Sequence, residues 1–151
     1  MKKKDWGNAI WLLFHTLAFK LKDEHVNELP VLIYHISQIC SNLPCPNCLQ
    51  HASGIMNNVN QNYISQSKNN LVTFLWDFHN NVNKRIKGKY YPKDDLEIYK
   101  SANTINVINN FIKVFSATSN NEKMVMYGFH RSQYIKKFNL YIKNNIHKYN
   151  L

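Results

Sequence analysis

The residues best suited to chemistry in this sequence are Cys45 and Cys48, which enclose Pro46 and Asn47, follow Leu43-Pro44 and precede His51. Two sulfurs at this spacing, at the mouth of a helix, close into a small reversible disulfide because the helix N-terminus stabilises a thiolate electrostatically. Pro46 suits the first helical position, where proline loses no hydrogen bond and presets φ, and Cys45 then stands as the cap. The pair points to redox chemistry. The rest of the chain is expected to hold an electron acceptor against it.

Two other sets of residues could serve that acceptor. Trp11 and His15 are four apart on a helical pattern and share a face, while Gly7, one turn earlier, permits close approach to the backbone. The same residues also read as ordinary core, a packed indole and a satisfied imidazole. Farther on, His79, Asn83 and Lys87 fall at i, i+4 and i+8, with Asn80 and Lys84 on the neighbouring row. A basic tail of Arg85, Lys87 and Lys89 leads from them to Tyr90 and Tyr91.

The elements that must position these residues read as helices. Apolar residues recur at helical spacing over residues 6–21, with Asp5 available as a cap. Pro30 opens a second segment that ends at Asn42, before Pro44, and delivers the cysteine pair. A third helix is predicted from Pro46 through Met56, and the polar stretch 57–70 reads as a loop. Leu71, Phe74, Leu75, Phe78, Val82 and Ile86 carry the period of a fourth, with Gly88 as its stop signal. Asp94, Leu96, Ile98 and Tyr99, after Pro92, predict a short fifth helix with acid in its first turn. Beyond about Ser101 two amphipathic segments, 105–115 and 134–146, flank a polar linker at 116–123. The second bears Lys136, Lys137, Lys143 and Lys148, a face that reads as solvated, with docking to a partner or a membrane surface as the alternative.

At 151 residues the chain is expected to form one domain with an appendix, divided into residues 1–100 and 101–151. Hydrophobic residues at 44% argue for a folded chain, and only 4 Gly and 4 Pro leave little turn punctuation, which favours helices over strands. The formal charge of +10 suits a phosphate-bearing ligand, a nucleic acid or an acidic partner without choosing among them. No apolar run is long enough to span a bilayer, and Met1-Lys2-Lys3-Lys4 leads into Asp5-Trp6-Gly7-Asn8 rather than a signal-peptide core. The protein is therefore expected to stay where it is made. Three cysteines without an export signal indicate redox or metal chemistry in a reducing compartment rather than a structural disulfide framework.

Taken in order, Trp6-Gly7…Trp11…Leu13…His15, then Cys45-Pro46-Asn47-Cys48…His51, then His79-Asn80-Asn81-Val82-Asn83…Arg85-Ile86-Lys87 resemble the Erv/ALR flavin-linked sulfhydryl oxidases. The likeness covers about residues 5–100 and is closest to the short members of large cytoplasmic DNA viruses. It implies an all-α fold, a four-helix bundle with a short fifth helix clasping FAD, here followed by a basic helical C-terminal extension packed on or beside it. It implies catalytic roles for Cys45 and Cys48: Cys48 as the flavin-proximal sulfur in charge-transfer contact, Cys45 as the outer sulfur that exchanges with a dithiol substrate. Gly7, Trp11, His15, His51, His79, Asn80, Val82 and Asn83 would contact the cofactor. Lys84, Lys87 and Lys89 would lie near its phosphates or ribose, and Tyr90 or Tyr91 beside its adenine half. The implied activity makes disulfides in partner proteins and passes electrons through the flavin to O2, giving hydrogen peroxide, with no metal.

The sequence departs from many cellular members, which carry an additional shuttle cysteine pair and a structural disulfide. Cys40 is the remaining thiol here. A separate dithiol protein of thioredoxin-like kind is therefore expected to hand electrons directly to Cys45. The resemblance also implies a homodimer formed through the first two helices. It further implies action in the cytoplasm, that of the host for a viral member, with packaging in the virion as an added expectation.

Two other classes fit parts of the sequence. Cys40, Cys45, Cys48 and His51 could supply four zinc ligands for a structural module, although their spacing matches no common finger and leaves the cluster from His79 to Lys87 without a role. A basic helical nucleic-acid binder would use the Lys and Tyr residues of the last third.

Overall fold

The computed structural model describes residues 3–117 and 125–151; most of the linker expected at 116–123 lies outside them. The described chain is an all-α bundle. Its helices are α1 (Lys3–Lys20), α2 (Leu29–Cys40), α3 (Pro46–Asn58), the single turn α4 (Gln61–Ile64), α5 (Lys68–Arg85), α6 (Thr104–Phe115) and α7 (Val125–Asn145). Tighter 3-10 segments occupy Asp23–Glu28, Lys93–Ser101 and Ile146–Lys148. Helices α1, α2, α3 and α5 are the expected four, and Lys93–Ser101 is the short fifth, wound more tightly than an α-helix.

Helix α1 lies at the centre. Ile10, Leu13, Phe14, Leu17 and Ala18 are buried, and so are Ala9, Thr16 and His15 on its other sides. A helix wrapped so completely needs neighbours all round, and they are α5, the 3-10 segment Lys93–Ser101 and α6. Asp5, expected as the cap, sits inside the first turn because the helix starts at Lys3, and there its carboxylate favours the dipole.

Local chemistry explains the other helix ends. Pro30 stands in the first turn of α2. Cys45 is extended and caps α3, its Sγ accepting from the Cys48 N–H at 3.4 Å, with Pro46 in the first turn. The stretch 57–70, expected as a loop, holds α4 and the start of α5. Asn60 Oδ1 accepts from the Tyr63 N–H at 3.1 Å and Ser67 Oγ from the Asn70 N–H at 3.0 Å. Its polar residues are thus partly caps rather than loop. At the end of α5 the Gly88 N–H donates to Asn83 O at 2.6 Å and the Lys87 N–H to Lys84 O at 3.2 Å. The left-handed residue of this terminator is Lys87, with φ 57°, and not Gly88, whose φ is ordinary. A lysine there carries a backbone cost of about 1 kcal/mol that glycine would avoid.

The last third packs into the same core. Phe111 and Phe115 of α6 and Phe138 of α7 are fully buried in one apolar cluster with Leu13, Leu17 and Leu32. Helix α7 grips α2 through polar groups as well. The Tyr134 hydroxyl is 2.8 Å from His35 Nδ1, and Glu28 accepts from Tyr141 at 3.3 Å and from Lys148 at 2.7 Å. The chain end is tied to the end of α1: the Lys22 N–H donates to Lys148 O at 2.9 Å and the Asn150 N–H to Lys20 O at 2.7 Å. On the helices expected to serve a homodimer, α6 packs along α1, while α2 keeps Val31 and Tyr34 exposed.

Candidate active site

The turn from α2 through Leu43 and Pro44 brings Cys45 and Cys48 to the start of α3, where both sulfurs are half-buried free thiols. They line a cleft of about 660 Å³ between the beginnings of α1 and α3 and the second half of α5, a volume typical of cofactor sites. The two thiols are not equivalent. Burial pushes the Cys45 thiol up, but hydrogen bonds from the Cys48 thiol and N–H, the Lys3 cation and the Asn47 N–H outweigh it and hold Cys45 below the usual thiol range. Cys48 is raised, by burial first and then by its neighbour Cys45. The first thiolate to form in the reduced pair is therefore at Cys45. Cys40, 2% exposed beside the same cleft, is pushed up to about 12 by burial and stays protonated.

Opposite the sulfurs stands a set of nearly parallel rings. Trp11 and His79 stack at 4.2 Å and 8°, and Tyr91 lies on His79 at 5.3 Å and 21°. Behind them His15 is bonded to His79, Nε2 to Nδ1 at 3.0 Å, and rests on Tyr99 at 4.7 Å. Burial lowers His79 to about 4, and burial together with the nearby His79 lowers His15 to about 3. Both imidazoles are neutral at pH 7. The unfolded chain titrates these groups near 6.5, so below that pH it binds protons that the folded chain refuses, and stability falls as pH drops. Urea midpoints are expected to decline steadily from about pH 6.5 toward pH 4, with His35, lowered to about 4 by burial, adding to the slope. A flat midpoint over that range would show that these rings are not held neutral.

Among the residues singled out from the sequence, Gly7, Trp11, His51, His79, Val82 and Asn83 line the cleft with Cys45 and Cys48. His15 does not: at 1% exposure it stands behind His79 and reaches the cleft only through it. Asn80 faces the turn after α5, its amide donating to Tyr91 O at 3.1 Å and accepting from the Tyr91 N–H at 2.8 Å. That reciprocal pair puts Tyr91 into the ring stack and turns Tyr90 outward, 61% exposed and edge-on to Trp76. Of the two tyrosines, Tyr91 is the one that joins the rings, although neither lines the cleft itself. Lys84, Lys87 and Lys89 are exposed and outside the lining. The cations that do line it are Lys3, Lys4 and Arg85, and Arg85 also donates to Asn47 O at 3.4 Å beside the sulfurs. Arg85 belongs to the basic tail already singled out, whereas Lys3 and Lys4 were signalled only by the basic character of residues 2–4.

The arrangement fits a flat, phosphate-bearing cofactor. A methyl group built on Gly7 would meet nothing within 4 Å, so no protein neighbour demands glycine there, yet glycine within a helix costs about 0.5–1 kcal/mol against alanine. Gly7 lines the cleft, so the open space leaves its backbone accessible to a ligand lying close against it. Among the described residues the lining holds three cations and no carboxylate. No group of three or more His, Cys, Asp or Glu able to hold a metal ion occurs among the described residues, so the zinc module drawn from Cys40, Cys45, Cys48 and His51 is not assembled.

Comparison with known proteins agrees with this geometry. The family model described as the Erv1 / Alr family matches residues 8–102, from α1 to the end of the short fifth helix. The chain belongs to the Erv1 / Alr family. Among family relatives, a protein of Invertebrate iridescent virus 3 designated FAD-linked sulfhydryl oxidase 096R is 32% identical over 84 residues, 55% of this chain and 57% of that protein. One of Invertebrate iridescent virus 6, designated FAD-linked sulfhydryl oxidase 347L, is 27% identical over 97 residues, 58% of this chain and 85% of its own length. The chain thus spans little more than half of the first relative. No solved structure gives a significant match.

Proposed function

We propose that the protein is an FAD-linked sulfhydryl oxidase that makes disulfides in partner proteins through Cys45 and Cys48. The observation that carries this reading is the sharing of one carboxylate-free cleft by a cysteine pair at a helix start and a stack of flat rings, in a chain of the Erv1 / Alr family. When bound, FAD supplies the two-electron acceptor that regenerates the disulfide and passes the electrons to O2 as hydrogen peroxide. Gly7, Trp11, His51, His79, Val82 and Asn83 would hold it. Lys3, Lys4 and Arg85 would face its negative charge, and Lys84, Lys87 and Lys89 would add positive field from outside the lining.

The chain's own sulfurs carry out the exchange. A substrate thiolate attacks Sγ of Cys45 in the oxidised pair, the Cys45–Cys48 bond breaks, and its electron pair leaves on Cys48. The second substrate thiolate then attacks the mixed disulfide, releasing Cys45 and closing the substrate's own disulfide. Hydrogen bonds to Cys45 make it a good leaving group in this second step. Cys40, buried and protonated, takes no part.

No second cysteine pair exists within these 151 residues to relay electrons. The substrate is accordingly a dithiol on another protein, of thioredoxin-like kind, and the cationic lining suits one with acidic residues near its cysteines. The chain pairs with a second copy through α1 and α2, and the exposed apolar side chains Val31 and Tyr34 of α2 support this. Among the described residues no helix is long and apolar enough to cross a membrane, and viral relatives support action in the cytoplasm of an infected cell.

The visible spectrum of the purified protein tests the reading. A bound flavin is expected, bleached by a dithiol without air and restored by O2 with one peroxide formed per disulfide. A colourless protein carrying stoichiometric zinc would overturn it.

A further inference from the structure

We infer that His15 is a positioning residue that sets the tautomer of His79, so that His79 presents a permanent N–H donor to the cleft at Nε2. His15 Nε2 and His79 Nδ1 lie 3.0 Å apart, a hydrogen bond that needs one proton between two nitrogens. Burial keeps both rings neutral at pH 7, so each has a single proton to place.

Two arrangements satisfy the contact. In the first, His79 Nδ1–H donates, and His15 must then carry its own proton on Nδ1. That atom is buried and has no partner among the described residues. An N–H left unpaired inside a protein loses its full hydration, and such orphaned donors are rarer than under-used acceptors. In the second, His15 Nε2–H donates, its Nδ1 keeps only a lone pair, and the proton of His79 is displaced to Nε2. The second arrangement leaves no buried donor unpaired, and the structure selects it.

Packing keeps the donor aimed. Trp11 and Tyr91 stack on the His79 ring and Tyr99 on His15, which fixes the ring planes, and turning either ring over in its plane would put a carbon in place of a nitrogen and lose the 3.0 Å bond. His79 lines the cleft and His15 does not. With Nδ1 of His79 occupied by His15, Nε2 is the nitrogen left for a ligand. The atom it meets must accept a hydrogen bond, as a heterocyclic nitrogen, a carbonyl or a ribose or phosphate oxygen of a dinucleotide does. Naming that ligand as FAD rests on the functional reading above; the tautomer does not.

Two-bond proton–nitrogen correlation spectra of the full chain, freed of flavin at pH 7, read the tautomers directly. Both His15 and His79 are expected as Nε2–H forms, and an Nδ1–H form of His79 would overturn the inference. The consequence is read by FAD titration. His15→Leu removes the donor and is expected to weaken FAD binding about tenfold, whereas His15→Gln keeps an amide donor and should stay within about threefold of the parent. Equal loss in both variants, at unchanged helix content, would reduce His15 to a packing residue and refute the proposal. A parent protein that binds no flavin would sink the oxidase reading instead, while the spectra would still decide the tautomer.

Discussion

Serine at either Cys45 or Cys48 is expected to lower dithiol-dependent oxygen consumption by on the order of a thousandfold or more. The reason is electron bookkeeping: the two electrons taken from a substrate dithiol are held only by breaking one sulfur–sulfur bond, and one sulfur cannot break it. The two variants should fail differently. With Cys48 intact, Cys45→Ser keeps a thiol in the cleft but has lost the sulfur whose hydrogen bonds favour the thiolate. With Cys45 intact, Cys48→Ser can still be attacked or alkylated, but nothing resolves the adduct. Cys40→Ser is the control. Its hydroxyl would enter an apolar, 2% exposed site and cost about 1–3 kcal/mol of stability, with turnover kept once folded. Residual full-rate turnover in either pair variant, or complete loss in a folded Cys40→Ser protein, would reverse these roles.

A chain ending at residue 101 is expected not to fold. The family match stops at residue 102, which makes such a fragment look like a complete domain. The packing argues otherwise. Phe111, Phe115 and Phe138 are fully buried and enclose the central α1. At about 1.5–3 kcal/mol for each buried phenylalanine, these three alone match much of the 5–15 kcal/mol that stabilises an ordinary domain. Loss of α6 would also uncover the side of α1 on which it packs. Circular dichroism and solubility of the fragment should show an aggregating, non-cooperative species, whereas the full chain should melt cooperatively. A soluble fragment with a cooperative melt and bound flavin would show that α6 and α7 are dispensable.

Features set by neighbouring residues were legible in the sequence. Pro46 after a capping Cys45 announces α3, and the spacing of His79, Val82 and Asn83 places all three on the cleft side of α5 because helical period is local. Features set through space were not. Whether Tyr90 or Tyr91 joins the rings depends on a reciprocal hydrogen bond to Asn80, eleven residues away. His15 shares a face with Trp11, as its spacing requires, yet lies behind His79 because a second helix decides which ring is outermost. Lys3 reaches the sulfurs, and Lys4 the cleft, only because the fold brings the start of α1 to the same cleft as the start of α3. The strained Lys87 next to an available glycine follows no rule of composition. The encircling of α1 by α6, likewise, leaves no trace in either helix read alone.

The bonds that pin Tyr149 and Asn150 to the end of α1 also fix where the molecule can be handled. Lys3 sits at the rim of the sulfur cleft and Lys20 at the other end of the same helix, a distance of about 26 Å at the rise of an α-helix. A fluorescent label or fusion joined after Leu151 would depart from the pole remote from the thiols, leaving visiting proteins unobstructed. The same cargo attached ahead of Lys3 would start in their doorway.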